Sequence, residues 1–468
     1  MNFIMVELQI GQYIDMEYGG AARVVQELGS GGQGIVYLVE FNDMQYALKW
    51  YDIDKIKNPA AFRKNIETNI NDGPPSKQFL WPKYLTKPLS TGGFGYLMDV
   101  RPKNFDSFVD ILNTYKLDID PLTGRAAKVP VQFKNLRAMV TAVINIVNAF
   151  RQLHRAGKSY QDLNDGGFFI DTATGEILVC DCDNIAPDFA NFGIGGKPGY
   201  MAPEVVRGIE KPNVQTDKYS LAVVLFKLLF RGDPMEGDKV VKDICLTESA
   251  ELRHYGKEAV FVYDPNDESN RPVRGIHDNV IKFWKIYPEY IRQAFIHSFT
   301  TGIAEPNKRI IENEWQKLFV RLRSEIITCK CGRTNFSVQF TENADHTFRC
   351  PKCGSDTPSM GFTNLDYRVP LYFGCRFYAC QTERGSDDFT AVTGELVENK
   401  LKAGMIGIKN LSQKTWRAKM PDGKFYPVGP GKGFPIWGGI VIDFGDDAMA
   451  YLNEANLADA PTSPNDPT

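Results

Sequence analysis

The stretch "LGSGGQGIVYLVE", residues 28–40, carries Gly29, Gly31 and Gly34 in the spacing G-x-G-x-x-G and runs directly into Ile35, Val36 and Tyr37. A dinucleotide-binding turn with the same glycines opens a helix, whereas β-branched and aromatic residues after the last glycine favour a strand. The loop therefore joins two strands, "RVVQELG" and "GIVYLVE", and a third run, "MQYALKWY", completes a β-meander. Such a turn can fold over phosphates with its backbone N–H groups, which makes Gly29, Ser30, Gly31, Gly32, Gln33 and Gly34 the candidate cradle, with Val36 behind it. On the following strand "YALK" sets Ala47 and Lys49. A lysine pointing inward there meets nucleotide phosphates and needs a carboxylate to hold it. Glu67, in the helical run "AAFRKNIETNI", is the best-spaced candidate, although helical spacing equally allows a solvated glutamate at that place.

Downstream the pattern turns helical. "LRAMVTAVINIVNAFRQLH", 136–154, is a long apolar helix of the buried kind, and "FFID-TATG-EILVCD" reads as strand, turn and strand over 167–181. Further helices are expected at about 216–231, 277–299 and 312–327, with 232–276 as long surface loops. From 329 the composition shifts to cysteine, glycine and turn residues, and 370–447 reads as short strands separated by "DG", "GPGKG" and "GG". The final stretch is rich in Pro, Asp and Ser and is expected to be disordered. A chain of 468 residues exceeds what one core organises, in keeping with several domains.

The balance of 54 basic and 57 acidic residues, a net charge of -3, argues against nucleic acid or an anionic membrane as partner. The longest apolar run, "LAVVLFKLLF", is broken by Lys227 and is shorter than the roughly 18 residues a membrane span needs. No secretory signal is read at the N-terminus, where a strand pair is expected instead. Cysteines at 329, 331, 350 and 353 cluster while the rest are scattered, which suits metal ligation in a reducing, cytoplasmic setting better than a disulfide framework.

With the glycine loop and Lys49 in place, the chain resembles the eukaryotic-like protein kinase family over roughly residues 22–325. "LHRAGKSYQDL" matches the catalytic-loop region, with Asp162 at the catalytic-base position. "VCDCDN" matches the metal-binding motif, with Asp181 as ligand, and "GYMAPE" the end of the activation segment. "DKYSLAVVLFKL" matches the next buried helix, whose Asp217 is implied to brace the catalytic loop. Arg309 in "PNKR" is implied to pair with Glu204. Met98 resembles the residue at the back of the adenine pocket, with Asp99, Val100 and Arg101 as hinge. ATP and Mg²⁺, or Mn²⁺, are the cofactors implied, and protein substrates, the chain itself among them, the partners.

Departures from the pattern are as informative. Tyr160 and Gln161 stand where the family has His and Arg, and that arginine normally pairs with an activation-segment phosphate. Between Asn184 and Pro203 there is no Ser or Thr, so activation without Ser/Thr phosphorylation is expected. Asn164 replaces a lysine, Gly167 replaces the asparagine that binds a second metal ion, and Asp183 replaces a glycine. Either Asp183, Asn164 or Asp165 supplies the lost metal oxygen, or the protein is a pseudokinase that binds nucleotide as a scaffold. Lys197 leaves the acceptor class open, and Ser/Thr is favoured by the resemblance.

"CKCG" and "CPKCG" form two knuckles whose four thiolates, Cys329, Cys331, Cys350 and Cys353, suit a structural Zn²⁺ at about 2.3 Å. His346 is read as a surface residue. The strands beyond resemble the end of a forkhead-associated domain, without the Arg, Ser and His set that reads phosphothreonine. Kinase, zinc ribbon and β domain together resemble bacterial kinases of tellurite-resistance-type gene clusters, which implies a metal-dependent protein phosphatase and a von Willebrand factor A-like protein as companions. The expected class is α+β. A bilobal kinase domain spans 1–325, dividing near 99, followed by a zinc ribbon at 326–362, a β-sandwich at 363–452 and a tail at 453–468.

Overall fold

In the computed structural model residues 7–452 are described, apart from 33, 52, 91, 121–122, 194 and 399–405. Gln33 and the tail 453–468 thus lie outside the described residues. The chain divides into two compact units, Met1–Lys285 with Tyr290–Trp315, and Ile286–Glu289 with Gln316–Thr468.

The first unit opens with strands β1 (Tyr13–Asp15), β2 (Ala21–Gly31), β3 (Gly34–Phe41) and β4 (Met44–Tyr51), helix α1 (Pro59–Asp72), and strands β5 (Tyr84–Leu85) and β6 (Gly95–Asp99). They form one antiparallel sheet in the order β1-β2-β3-β4-β6-β5. Period-2 alternation sends Ile35, Tyr37, Val39, Leu48 and Trp50 to one core. Ala47, Tyr51, Tyr96 and Met98 go to the other, where Phe62 and Ile66 of α1 cover them. The glycine loop is the tip of the β2–β3 hairpin, with Gly31 opposite Gly34 and two bulges that add twist. Gly34 is required by crowding, since a Cβ there would lie 2.0 Å from the Trp50 carbonyl oxygen. Helix α1 begins where Asn58 accepts a hydrogen bond from Ala61 N at 3.2 Å, with Pro59 at its first position.

The rest of this unit is mainly helical: α2 (Phe108–Asn113), a hairpin of Tyr115–Ile119 with Ala126–Pro130, and α3 (Leu136–Arg155). Phe168–Ile170 pairs with Ile177–Val179, as the sequence indicates, and also with Asp106–Ser107. Helix Val214–Phe230 is buried nearly throughout. The single helix expected at 277–299 is two, Asp278–Trp284 and Glu289–Phe299. Pro288 lacks the N–H and clashes with the preceding turn, so it separates them. The segment 232–276 is not all surface: Phe261 and Val262 are fully buried, and Phe261 packs on Phe226, Trp284 and Phe299. A β-rich lobe followed by a helical lobe is the bilobal kinase-like fold the resemblance implies.

In the second unit, Ile326–Thr328 pairs with Thr334–Phe336, and Thr341–Glu342, Phe348–Arg349 and Asp356–Thr357 form a small sheet around the cysteines. The expected helix at 312–327 therefore stops at Ser324. Beyond lie a six-stranded and a four-stranded antiparallel sheet, whose shared core includes Phe362, Phe377, Ile408, Trp416, Ile442 and Phe444. Ser359–Phe362, which the sequence places with the zinc ribbon, pairs instead with Val369–Pro370 and Ala448–Tyr451 of this β domain. Among the described residues no helix is long and apolar enough to cross a membrane.

Candidate active site

Strand β4 sets Lys49 opposite Val36 of β3 and Tyr96 of β6, facing the side covered by α1. Its Nζ donates to Asp181 Oδ1 at 3.0 Å and to Asp183 Oδ1 and Oδ2 at 2.9 and 2.8 Å. Asp183 is completely buried and also accepts from Tyr51 Oη at 2.7 Å and Tyr96 Oη at 3.1 Å. Burial disfavours the Lys49 ammonium, but Asp181 and Asp183 outweigh it and the pKa is raised, so the lysine stays charged.

Two expectations need correction. Glu67 does not hold Lys49: its carboxylate accepts from Lys64 Nζ at 2.8 Å and Tyr18 Oη at 3.3 Å. Helix α1 turns Phe62, Asn65, Ile66 and Asn69 inward, and at about 100° per residue Glu67 falls on the outer face. The solvated-glutamate alternative is the one found. Asp183, expected first as the substitute metal ligand, instead has four hydrogen bonds that occupy both of its oxygens. It stands as the counter-ion of Lys49, at a position reached from the metal-binding loop.

Helix α1 contacts the same region through amides. Asn65 Nδ2 and Asn69 Nδ2 each donate to the Ile185 carbonyl at 2.8 Å. Buried Lys158 donates to Asn69 Oδ1 and Asp72 Oδ2, both at 2.7 Å. Sequence reasoning passed over these asparagines because neither titrates. Tyr51 had a readable signal, since it lies two residues beyond Lys49 on one strand and so on the same face.

Asp162 sits in a loop braced from beneath. Asp217 Oδ2 accepts from Tyr160 N at 2.6 Å and Asp217 Oδ1 from Gln161 N at 3.1 Å, the role the resemblance assigns it. His154 links Asp217, at 3.2 Å, to Glu312, at 2.7 Å. Asn164 Nδ2 donates to Asp162 Oδ1 at 2.8 Å and to the Asp162 carbonyl at 2.9 Å, while its Oδ1 accepts from Gly166 N at 2.8 Å. Burial pushes the Asp162 carboxyl up to about 6, with the Asn164 hydrogen bond and Lys49 opposing and the Asp181 and Asp183 charges assisting. Asp181 has φ 51° and a side chain 45% exposed, so its carboxylate is presented to solvent beside Lys49.

Gln161 occupies the place of the missing arginine. Its Nε2 donates to Ser159 Oγ at 3.1 Å and to the Ala190 carbonyl, and its Oε1 accepts from Asn191 Nδ2 at 3.0 Å. The activation segment is therefore clasped by neutral hydrogen bonds. Lys197 donates to Asp165 Oδ1 at 2.7 Å, and Arg309 grips Glu204 with two bonds of 2.7 and 2.9 Å, as expected.

Gly29, Ser30, Gly31 and Gly32 are exposed at the hairpin tip, the first three still paired with Val36, Ile35 and Gly34 of β3. Ala47 and Met98 lie opposite each other on β4 and β6, and Val36, Phe169 and Cys180 join their apolar cluster. Asp99, next to Met98, pairs with Lys83 at 2.6 Å, Val100 follows it, and the Arg101 guanidinium lies 4.0 Å from the Phe169 ring centroid.

In the second unit the sulfurs of Cys329, Cys331, Cys350 and Cys353 all lie within 4.8 Å of one another. Cys329 and Cys353 are 3.5 Å apart and Cys331 and Cys350 3.8 Å. A tetrahedron of thiolates at about 2.3 Å from an ion has edges of about 3.8 Å, so the cluster is consistent with a closed structural metal site. His346 lies outside it, on Glu342 at 3.0 Å.

The protein kinase domain family matches residues 125–292. A Drosophila melanogaster protein described as a protein kinase C delta type homologue is 30% identical over 112 residues, 21% of this chain and 16% of that protein. A Lactococcus lactis protein described as the serine/threonine-protein kinase PknB is 23% identical over 273 residues, 56% of this chain and 38% of that protein. The chain thus spans well under half the length of both relatives. Fold, catalytic-loop bracing and family match converge: the first unit of this chain carries a protein kinase domain.

Proposed function

We propose that the protein transfers the γ-phosphate of ATP to Ser or Thr hydroxyls of protein substrates, itself included, without phosphorylation of its activation segment. The observation that carries this is the convergence of Lys49, Asp181 and Asp162, with the charge of Lys49 secured by Asp183. The hairpin amides of Gly29 to Gly32 and Gly34, with Lys49, hold the phosphates, and the apolar cleft of Val36, Ala47 and Met98 takes the base. The backbone of Asp99 and Val100 borders that cleft. The half-exposed Asp181 carboxylate suits Mg²⁺ or Mn²⁺, which when bound would neutralise charge on the phosphates. Asp162 orients the acceptor hydroxyl and takes its proton, and Asn164 holds the Asp162 carboxylate in place. Asp183 replaces the helix glutamate as the group that aims Lys49, so Glu67 has no part.

Independence from activation-segment phosphorylation is supported by Gln161, whose neutral clasp needs no phosphate to neutralise, and by the absence of Ser and Thr between Asn184 and Pro203. The Ser/Thr acceptor is supported by the description of the Lactococcus relative. Zn²⁺ is the ion proposed for the four thiols, in a cytoplasmic setting that keeps them reduced. The phosphatase and von Willebrand factor A-like companions are proposed on the domain architecture, and co-purification from the native host tests them.

The test is label transfer from γ-labelled ATP with Mg²⁺, compared with Asp162→Ala and Asp181→Ala. Transfer lost in both variants is expected. Gly167 favours the second reading, a nucleotide-binding scaffold; nucleotide bound with no transfer under any divalent ion would establish it and overturn the first.

A further inference from the structure

We infer that this nucleotide site is built for one divalent cation, and that Tyr160 closes the place a second would occupy; the inference rests on the phosphotransfer reading above. Protein kinases that use two cations hold them with the carboxylate of the metal-binding loop and an asparagine of the catalytic loop. The second position here is Gly167, and the space for its side chain is already filled. A Cβ on Gly167 would lie 2.8 Å from Tyr160 Oη, closer than real Cβ atoms approach, and in contact with Tyr160 Cζ at 3.5 Å.

Neither group can step aside easily. Tyr160 is fully buried, its hydroxyl donates to the Cys180 carbonyl at 2.5 Å, and its ring meets Phe150 edge-on at 5.7 Å. Gly167 donates from its N to the Asn164 carbonyl at 3.2 Å and accepts from Cys180 N at 3.0 Å. Tyrosine in place of histidine and glycine in place of asparagine are therefore one change seen from two sides, because the phenol hydroxyl takes the volume the asparagine side chain would need.

The other candidate oxygens are engaged elsewhere. Asp183 is completely buried with four hydrogen bonds. Asn164 is fixed between Asp162 and Gly166 N, and Asp165 is paired with Lys197. Asp181 keeps a half-exposed carboxylate. One carboxylate with phosphate oxygens and water completes the octahedron of Mg²⁺, so a single-cation site is chemically sufficient.

Ion counting reads this directly. Mn²⁺ is titrated into the full chain with a saturating non-hydrolysable ATP analogue, free Mn²⁺ is followed by electron paramagnetic resonance, and nucleotide uptake is measured separately by fluorescence. One ion per bound nucleotide is expected for the wild type and for Tyr160→Phe. A second ion is expected only in the double variant Tyr160→Phe with Gly167→Asn, where the hydroxyl is gone and the ligand restored. Two ions in the wild type overturn the inference and leave the phosphotransfer reading standing. Nucleotide bound without any ion overturns the inference and favours the scaffold; no nucleotide uptake at all overturns both. A folded Gly167→Asn single variant that takes up two ions refutes the role of Tyr160.

Discussion

Replacing Asp183 with alanine is the sharpest perturbation of this site. The substitution leaves the Lys49 ammonium, 8% exposed, with Asp181 at 3.0 Å, a carboxylate whose side chain is 45% exposed and whose field is correspondingly screened. Deleting one partner of a buried ion pair costs about 3–5 kcal/mol, an upper bound here because Asp181 keeps its own bond to Lys49. Tyr51 and Tyr96 lose their shared acceptor as well, at about 1–3 kcal/mol for each hydroxyl left unpaired, and the terms overlap because all three donors converge on one carboxylate. At about 2–4 °C per kcal/mol, the melting temperature of the kinase domain should fall by on the order of 10 °C. Asp183→Asn, which keeps an acceptor and removes the charge, should fall in between. Nucleotide affinity should fall as well, because Lys49 is no longer aimed; scanning calorimetry and fluorescent-nucleotide titration measure the two effects, with Glu67→Ala as the control that changes neither. Nucleotide affinity lost in Glu67→Ala and kept in Asp183→Ala would refute the assignment of Asp183 as counter-ion.

The Asp162 carboxyl, pushed up to about 6 by burial, is charged only above that pH. Activity should fall roughly tenfold per pH unit below it, and Asn164→Ala, which removes a bond favouring the charged form, should move that limb of the pH–rate profile upward. Burial lowers the pKa of His154, but its bonds to Asp217 and Glu312 prevail and raise it from 6.5 to about 9. A raised folded pKa gives stability that is fully present below about 6.5 and fades as pH rises through about 9. The gap in melting temperature between wild type and His154→Gln should therefore narrow between about pH 7 and pH 10. Elemental analysis should find about one zinc per chain, and chelation or Cys350→Ser should lower the melting of the second unit while nucleotide affinity is unchanged.

Much of the site was readable because it is written in local spacing. A glycine turn between strands, a lysine on the next strand and the paired cysteines are each set out within a short segment, whereas Asp162, Asp181, Asp217 and the Glu204–Arg309 pair, 105 residues apart, were legible through motifs that resemble the protein kinase family. Strand period puts Ala47 and Lys49 on one side of their strand before any coordinates, while the place of Met98 came from the resemblance. Pro288 also announced its break, although the helical periodicity on either side of it masked the signal.

What the sequence determined by itself, then, is the set of groups that carry chemistry and the order in which the fold meets them. The tertiary structure decided which of them meet. The sequence offered Glu67 alone as the partner of Lys49 and Asp183 as a metal ligand; the rotation of α1 about its axis, set by burial of Phe62 and Ile66, turns Glu67 away, and Asp183 takes its place. Asp183 reaches Lys49 across 134 residues, a distance over which no periodicity carries information. Likewise the glycine at 167 looks in sequence like a missing ligand. In space the position is filled by Tyr160, because close-packed interiors give a given volume to one side chain only.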